Sequence, residues 1–468
     1  MSRTPIALFI LVGLAGCTVG PDYAGPVTAV SERWIEPATA GAVETAWWGR
    51  FNDPLLTGLI DQAVASGPDV REARARIAEA RANREAVAGG RGPQVTAKGS
   101  ATENVLSENG QLPIASIPGF VRDYSLFDIG FDASWELDFF GRKTREIEAA
   151  RAREGAADES ARDVMMTLAG DIVRSYFELR AAQADIRNAQ ALTASNDEVL
   201  SLSELRYRGG EETRIEVDRA QSAARQSAIQ VTEASTRAAA AAYRIATLMG
   251  VAPETVVPHL KAPGPIPSSP EAIATGVRSD LLRRRPDVRR AERELAAATA
   301  NVGVATANLF PRFSLLGGIG QQARKVGDLF SPGSTRLQIG PSFSWPVFSF
   351  GAIRAEIRAA GARADAAGAR YEKAVAAALS DSEAAINRWS AAKKNVEDAR
   401  TSQQADQHTL DLARLRFQRG EDNRLDLERA RASALASQKR LSEALGSEGV
   451  AAVALFKALG GGWEESES

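Results

Sequence analysis

At 468 residues, with 57 Lys and Arg against 59 Asp and Glu, the chain is close to neutral. It lacks the basic stripe that a nucleic-acid partner would need. Its only two histidines, His259 and His408, lie far apart, and its one cysteine is Cys17, so neither a metal cluster nor a catalytic triad can be assembled around them; an enzyme is not expected.

The first stretch reads as an export signal. Arg3 supplies a positive start, residues 5–15 are an apolar run too short to cross a bilayer as a helix, and Leu14-Ala15-Gly16-Cys17 follows directly. Residues 1–16 are predicted to be a lipoprotein signal peptide, cleaved so that Cys17 carries a covalent lipid; no other cofactor is expected. Several acyl chains, at about 0.8 kcal/mol per buried CH₂, anchor a chain stably where one is marginal. Thr18 follows the cysteine where an Asp would signal inner-membrane retention, so the outer membrane is the expected address. Downstream no run of about 18 apolar residues occurs, which excludes helical spans and leaves only strands of a closed barrel to cross a bilayer.

Residues 17–52 read as a lipidated, extended arm rich in Pro and Gly. A first repeat is predicted over 53–252. Asp53-Pro54 and Gly67-Pro68 start two helices, since Pro fits a first turn whose N–H needs no partner. Strands follow at about 94–104 and 126–140. In the second, Phe127, Ile129, Phe131, Ala133, Trp135, Leu137 and Phe139 hold the odd positions, with Asp128, Asp132, Glu136 and Asp138 among the even ones. Alternation of this kind builds a ribbon with one apolar and one polar face. A strand half-buried in a soluble sandwich shows the same alternation.

From 142 to 208 proline is absent, alanine is abundant, and Val164, Leu168, Ile172, Tyr176 and Leu179 follow helical steps. Such a helix would be roughly 100 Å long. Gly209-Gly210 ends it, and Thr213 with Glu216 forms a capping box for a return helix reaching Gly250, the hairpin covering about 142–250. A Pro-rich linker at 253–270 then leads into a second repeat at 271–460. Pro286-Asp287-Val288-Arg289 repeats Pro68-Asp69-Val70-Arg71, and Gly420-Glu421-Asp422-Asn423-Arg424-Leu425-Asp426 repeats Gly210-Glu211-Glu212-Thr213-Arg214-Ile215-Glu216. Its strands are expected at about 312–322 and 336–348, and its hairpin at about 351–459. Residues 461–468 form a tail.

Four strands cannot close a barrel, and open edges are not tolerated in lipid. Two chains would give a side-chain-filled barrel, whereas three give twelve strands and room for water. The expected fold is therefore a mixed α and β membrane protein: a homotrimer with a 12-stranded barrel, continuous through Gly141 and Gly351 with a long periplasmic helical barrel. A plain coiled-coil stalk would leave the amphipathic strands unexplained.

The chain resembles the outer membrane factor family of tripartite pumps, the TolC and OprM type, and within it the NodT-like efflux lipoproteins. The resemblance rests on Cys17-Thr18-Val19-Gly20-Pro21-Asp22-Tyr23, Trp47-Trp48, Asp53-Pro54-Leu55, Ser134-Trp135-Glu136-Leu137-Asp138 before Gly141-Arg142, and Arg206-Tyr207 with Gly210. It implies a trimeric conduit docked to a periplasmic adaptor (membrane fusion) protein and an inner membrane RND-type pump, exporting small toxic compounds. It also implies a gate at the hairpin turns. Matching along the second turn puts Phe417 where a gate tyrosine is often found, with Asp426 and Arg429 on two aperture aspartate positions; Glu216 and Arg219 stand at the same places in the first turn. Asp426 has a compatible role as partner of an Asn423 cap, and Arg429 is placed to pair with a neighbouring Asp426 or with Glu428. The exposed tips, Arg208, Gly210, Glu211, Arg419, Gly420 and Glu421, are the expected adaptor contacts. No phosphate-binding loop is present, so the conduit would be passive. A conduit for protein secretion and a non-channel structural lipoprotein remain as alternatives.

Overall fold

The computed structural model describes residues 18–37, 39, 41, 43, 44, 46–107 and 121–461; Cys17, the expected signal at 1–16 and all but the first residue of the expected tail lie outside them. Among the described residues the α-helices of eight residues or more are α1 (Pro54–Ser66), α2 (Pro68–Gly89), α3 (Arg142–Arg208), α4 (Arg214–Met249), α5 (Pro253–Leu260), α6 (Pro286–Ala307), α7 (Phe350–Gln418) and α8 (Arg424–Ala458), and the strands are β1 (Gln94–Val105), β2 (Asp123–Glu136), β3 (Arg312–Ala323) and β4 (Thr335–Ser344). Two compact units emerge. One comprises Met1–Pro26, Ala78–Ala156 and Ala291–Tyr371, and the other Val27–Ile77, Ala157–Arg290 and Glu372–Ser468. The chain is thus mostly helical, with one antiparallel four-stranded sheet in the order β1-β2-β3-β4.

β2 stops at Glu136, short of the expected position near 140, because Asp138 has turned to cap α3. Its Oδ1 accepts from the N–H of Lys143 and its Oδ2 from the N–H of Thr144, both at 2.8 Å. Such a bond satisfies a donor that a helix start otherwise leaves unpaired. β4 likewise ends at Ser344, before Trp345-Pro346, since Pro346 has no N–H for the ladder. Gly141 stands at the first junction with φ +74, whereas Gly351 lies inside the first turn of α7 without a positive φ.

In the second unit the core is aromatic. Trp47, fully buried, stacks on Phe456 at 5.0 Å, and Phe51 meets Phe177 edge-on at 5.1 Å. Each fully buried side chain of this size contributes about 1.5–3 kcal/mol. Phe177 packs against bare Gly449, where an added Cβ would lie 2.1 Å from the ring. The Asp53-Pro54 motif also locks into this core. Asp53 Oδ1 caps α1 by accepting from the N–H groups of Leu55 and Leu56, and Oδ2 accepts from the Tyr176 hydroxyl at 2.7 Å. Burial and the Asp53 bond push the Tyr176 hydroxyl up to about 12, while Arg180 donates to its oxygen.

Candidate channel wall and gate

The wall is built by register. β1 pairs Ala97 with Phe131, β2 pairs Phe131 with Ile319, and β3 pairs Ile319 with Leu337. Directly paired residues share a face, and side chains alternate along each strand. The apolar rows of all four strands therefore coincide: Val95, Ala97 and Ala101; Phe127, Ile129, Phe131 and Trp135; Phe313, Leu315 and Ile319; Leu337, Ile339 and Phe343. This face is bare in the single chain, with Phe131 57% and Ile339 73% exposed. Trp135 and Trp345 anchor its lower rim in the same way, each indole N–H donating to a carbonyl after a helix, that of Arg91 and that of Leu309, at 3.0 and 3.1 Å.

On the opposite face the acidic residues are held by partners within the same unit. Arg336 of β4 reaches across β3 to hold Asp128 of β2 with two bonds, 2.8 and 2.9 Å, and Gln322 donates to the same carboxylate at 2.8 Å. Lys98 of β1 pairs with Asp132 at 3.0 Å, and Arg336 approaches Asp132 at 3.9 Å. Gly318 of β3 leaves room for the meeting of Arg336 and Asp132, since a Cβ there would sit 3.0 Å from Asp132 Oδ1 and 3.5 Å from Arg336 Nη1. Glu136 is taken by Arg142, at 2.5 and 3.0 Å. Arg336, two strands from Asp128, carries no sequence signal that would mark it as that partner.

The hairpin turns close identically in backbone. After α3 the N–H of Glu211 donates to Arg206 O and that of Gly210 to Tyr207 O; after α7 the N–H of Glu421 donates to Arg416 O and that of Gly420 to Phe417 O. Gly210 and Gly420, at φ +76 and +73, supply the left-handed residue this closure needs. The two return helices start differently. The expected Thr213–Glu216 capping box does not form: Thr213 makes no side-chain cap, and Glu216 pairs instead with Arg219 at 2.5 Å. Asn423 does cap α8, its Oδ1 accepting from the N–H of Asp426 at 3.0 Å.

Asp426 turns its carboxylate to Arg429 of its own helix at 3.4 Å. Arg429 does not reach Glu428, because Glu428 points inward: it is 1% exposed and accepts from Ser195 of α3 at 2.6 Å, from Arg424 at 3.0 Å and from Arg431 at 3.2 Å. Arg424 also lies over the ring of Phe417 at 5.7 Å and 3.6 Å from Glu198. Phe417 thus faces a cation where a tyrosine would offer a hydroxyl. Sequence reasoning offered Glu428 only as a partner for Arg429 and missed its burial, since its neighbours in sequence are as polar as those of exposed Asp218. At the tips Arg208, Glu211, Arg419 and Glu421 are exposed, with Glu211 3.8 Å from Arg206 and Glu421 3.9 Å from Arg416. No group of residues among those described could hold a metal ion.

A sheet with one bare apolar face, joined in sequence to long helical hairpins, is the arrangement of an outer membrane channel subunit. The family described as outer membrane efflux protein matches residues 59–251 and 277–461, and the chain belongs to it. Nodulation protein T of Rhizobium leguminosarum bv. trifolii is 30% identical, the match covering 93% of this chain and 92% of that protein. The solvent efflux pump outer membrane protein SrpC of Pseudomonas putida is 29% identical over 100% of both. The solved outer-membrane channel OprN superposes with a TM-score of 0.86 at 35% identity, covering 96% of this chain and 100% of that one. Membership puts the chain in the outer membrane, in an efflux role.

Proposed function

We propose that three copies of this chain close a 12-stranded barrel over a periplasmic helical tube, forming the passive exit duct of a tripartite pump for small toxic compounds. The observation that carries it is the register: four strands share one apolar face, and β1 and β4 are left as open edges that lipid does not tolerate. Three such sheets enclose water where two would not. The internal repeat supplies four strands and two hairpins per chain, so that three chains make both barrels. Energy and substrate choice reside in an inner membrane RND-type pump, reached through an adaptor that grips the tips around Arg208, Gly210, Glu211, Arg419, Gly420 and Glu421. The name of SrpC, a solvent efflux pump component, supports export of small apolar toxicants. Cys17 carries the lipid.

In this reading the hairpin turns constrict the periplasmic end, with Phe417, Asp426 and Arg429 on the second turn and Glu216 and Arg219 on the first. Purified protein in planar bilayers is expected to conduct as a trimer by native mass spectrometry, and Asp426→Ala with Arg429→Ala to raise single-channel conductance, because charged rings at a constriction dominate the passage of ions. A monomer without conductance would sink the duct; unchanged conductance in the double variant would remove that pair from the gate.

A further inference from the structure

The motif Thr18-Val19-Gly20-Pro21-Asp22-Tyr23 is clamped residue by residue in the sheet-bearing unit. Thr18 lies on Gly141, where an added Cβ would come 2.8 Å from the Thr18 Cα. The N–H of Val19 donates to Phe140 O at 3.3 Å, and Arg145 Nε donates back to Val19 O at 3.4 Å. Gly20, at φ +91, passes so close over Gly303 that a Cβ would stand 2.5 Å from its Cα. Arg145, 3% exposed, donates to Asp22, and the Tyr23 hydroxyl donates to Glu292 at 3.1 Å. The clamp belongs to one junction alone, since the residue 210 positions after Arg145 is Ala355.

Beside Gly141 the base of the apolar face carries an aromatic cluster. Phe139 meets Phe313 edge-on at 5.5 Å, and Phe313 meets Phe343 at 6.2 Å. Phe139 is 40% and Phe343 70% exposed. The described chain begins at Thr18, and the bond to residue 17 keeps the two Cα atoms about 3.8 Å apart. Covalent geometry alone therefore tethers the Cα of residue 17 within about 8 Å of that of Gly141, whatever its conformation.

We infer that the Thr18–Tyr23 clamp is a ruler: it delivers the acyl chains of Cys17 onto the Phe139–Phe313–Phe343 cluster and holds them there, at one depth, as part of the wall. This rests on the lipidation of Cys17. A loose tether would leave the same chains anywhere in the surrounding lipid.

The full-length protein is tested in native outer membranes with a photoreactive side chain, as Phe139→benzoylphenylalanine or Phe343→benzoylphenylalanine, and as Ile129→benzoylphenylalanine, about 23 Å up β2 from its end at Glu136. Illumination, digestion and mass spectrometry are expected to recover the acylated N-terminal peptide joined to position 139 or 343 and not to 129. A flexible insert of about eight Gly and Ser residues between Cys17 and Thr18 lets the attachment point wander about 16 Å and should cut that yield by about an order of magnitude. The same insert between Tyr23 and Ala24, beyond the clamp, should leave it unchanged. Equal adducts at all three positions, no adducts from an acylated chain, or indifference to the upstream insert would overturn the ruler and leave lipidation standing. An unmodified Cys17 mass would overturn both.

Discussion

The turn after Arg208 and the turn after Gln418 close with the same pair of backbone bonds around a left-handed glycine, yet only the second is followed by a buried carboxylate at this position. At the first, Asp218 pairs with Arg214 in solvent and Ile215 is 61% exposed. At the second, the residue 210 positions on from Asp218 is Glu428, sunk among Ser195, Arg424 and Arg431. The backbone of a tight turn is set by where glycine stands, whereas its attachment depends on one extra methylene that lets a carboxylate reach a neighbouring helix. The bond from Ser195 thus ties the return helix of the second hairpin to α3 of the first, whereas the return helix of the first meets solvent at the equivalent position.

The largest break in that comparison is Glu428→Ala. It leaves Arg424, Arg431 and Ser195 without their common acceptor, and since both guanidinium groups are more than a third exposed and can turn to water, the cost is about 2–3 kcal/mol rather than that of a fully buried pair. Hydrogen exchange over 417–431 should accelerate accordingly, while Asp218→Ala at the first turn should change its own exchange by no more than about 0.5 kcal/mol. Equal responses would show the turns to be equivalent.

Next comes Asp287, whose counterpart 218 positions earlier, Asp69, is exposed. Burial alone would raise the Asp287 carboxyl, but the bonds and charge of Arg285, at 2.7 and 3.0 Å, outweigh it and hold the group below the usual carboxylate range. A depressed folded value adds stability that is complete above the unfolded value and is lost as pH falls through the folded one. Asp287→Asn should therefore cost about 1–2 kcal/mol near neutrality, with the gap to the parent closing on acidification below the ordinary Asp range, as followed by thermal melts across pH. Asp69→Asn should show no such closure. The smallest contrast is between caps: Asn423→Ala should cost about 1 kcal/mol in local opening of α8, and Thr213→Ala almost nothing, because the Thr213 side chain caps nothing.

Much of this was legible in the amino-acid order. Alternation from Phe127 to Trp135 marks a strand whatever surrounds it, and Gly210 and Gly420 mark turns because few other residues tolerate their φ. What stayed hidden depends on distant chain. The partner of Asp128 was not visible because Arg336 lies two strands away, and Thr213 looked like a cap because Glu216 three positions on fits that pattern as well as it fits an ion pair with Arg219. Asp138 looked like part of the strand's row, yet it serves the helix that follows.

At positions 318 and 320 the molecule depends on something that is not there. A methyl at 318 would stand 3.0 Å from Asp132 Oδ1, so that carboxylate would have to give way and its approach to Arg336 would loosen, while a methyl at 320 would come 2.6 Å from the Ile129 carbonyl oxygen of the neighbouring strand. Two hydrogen atoms in place of side chains thus keep β2 and β3 close and the charges on that face in register.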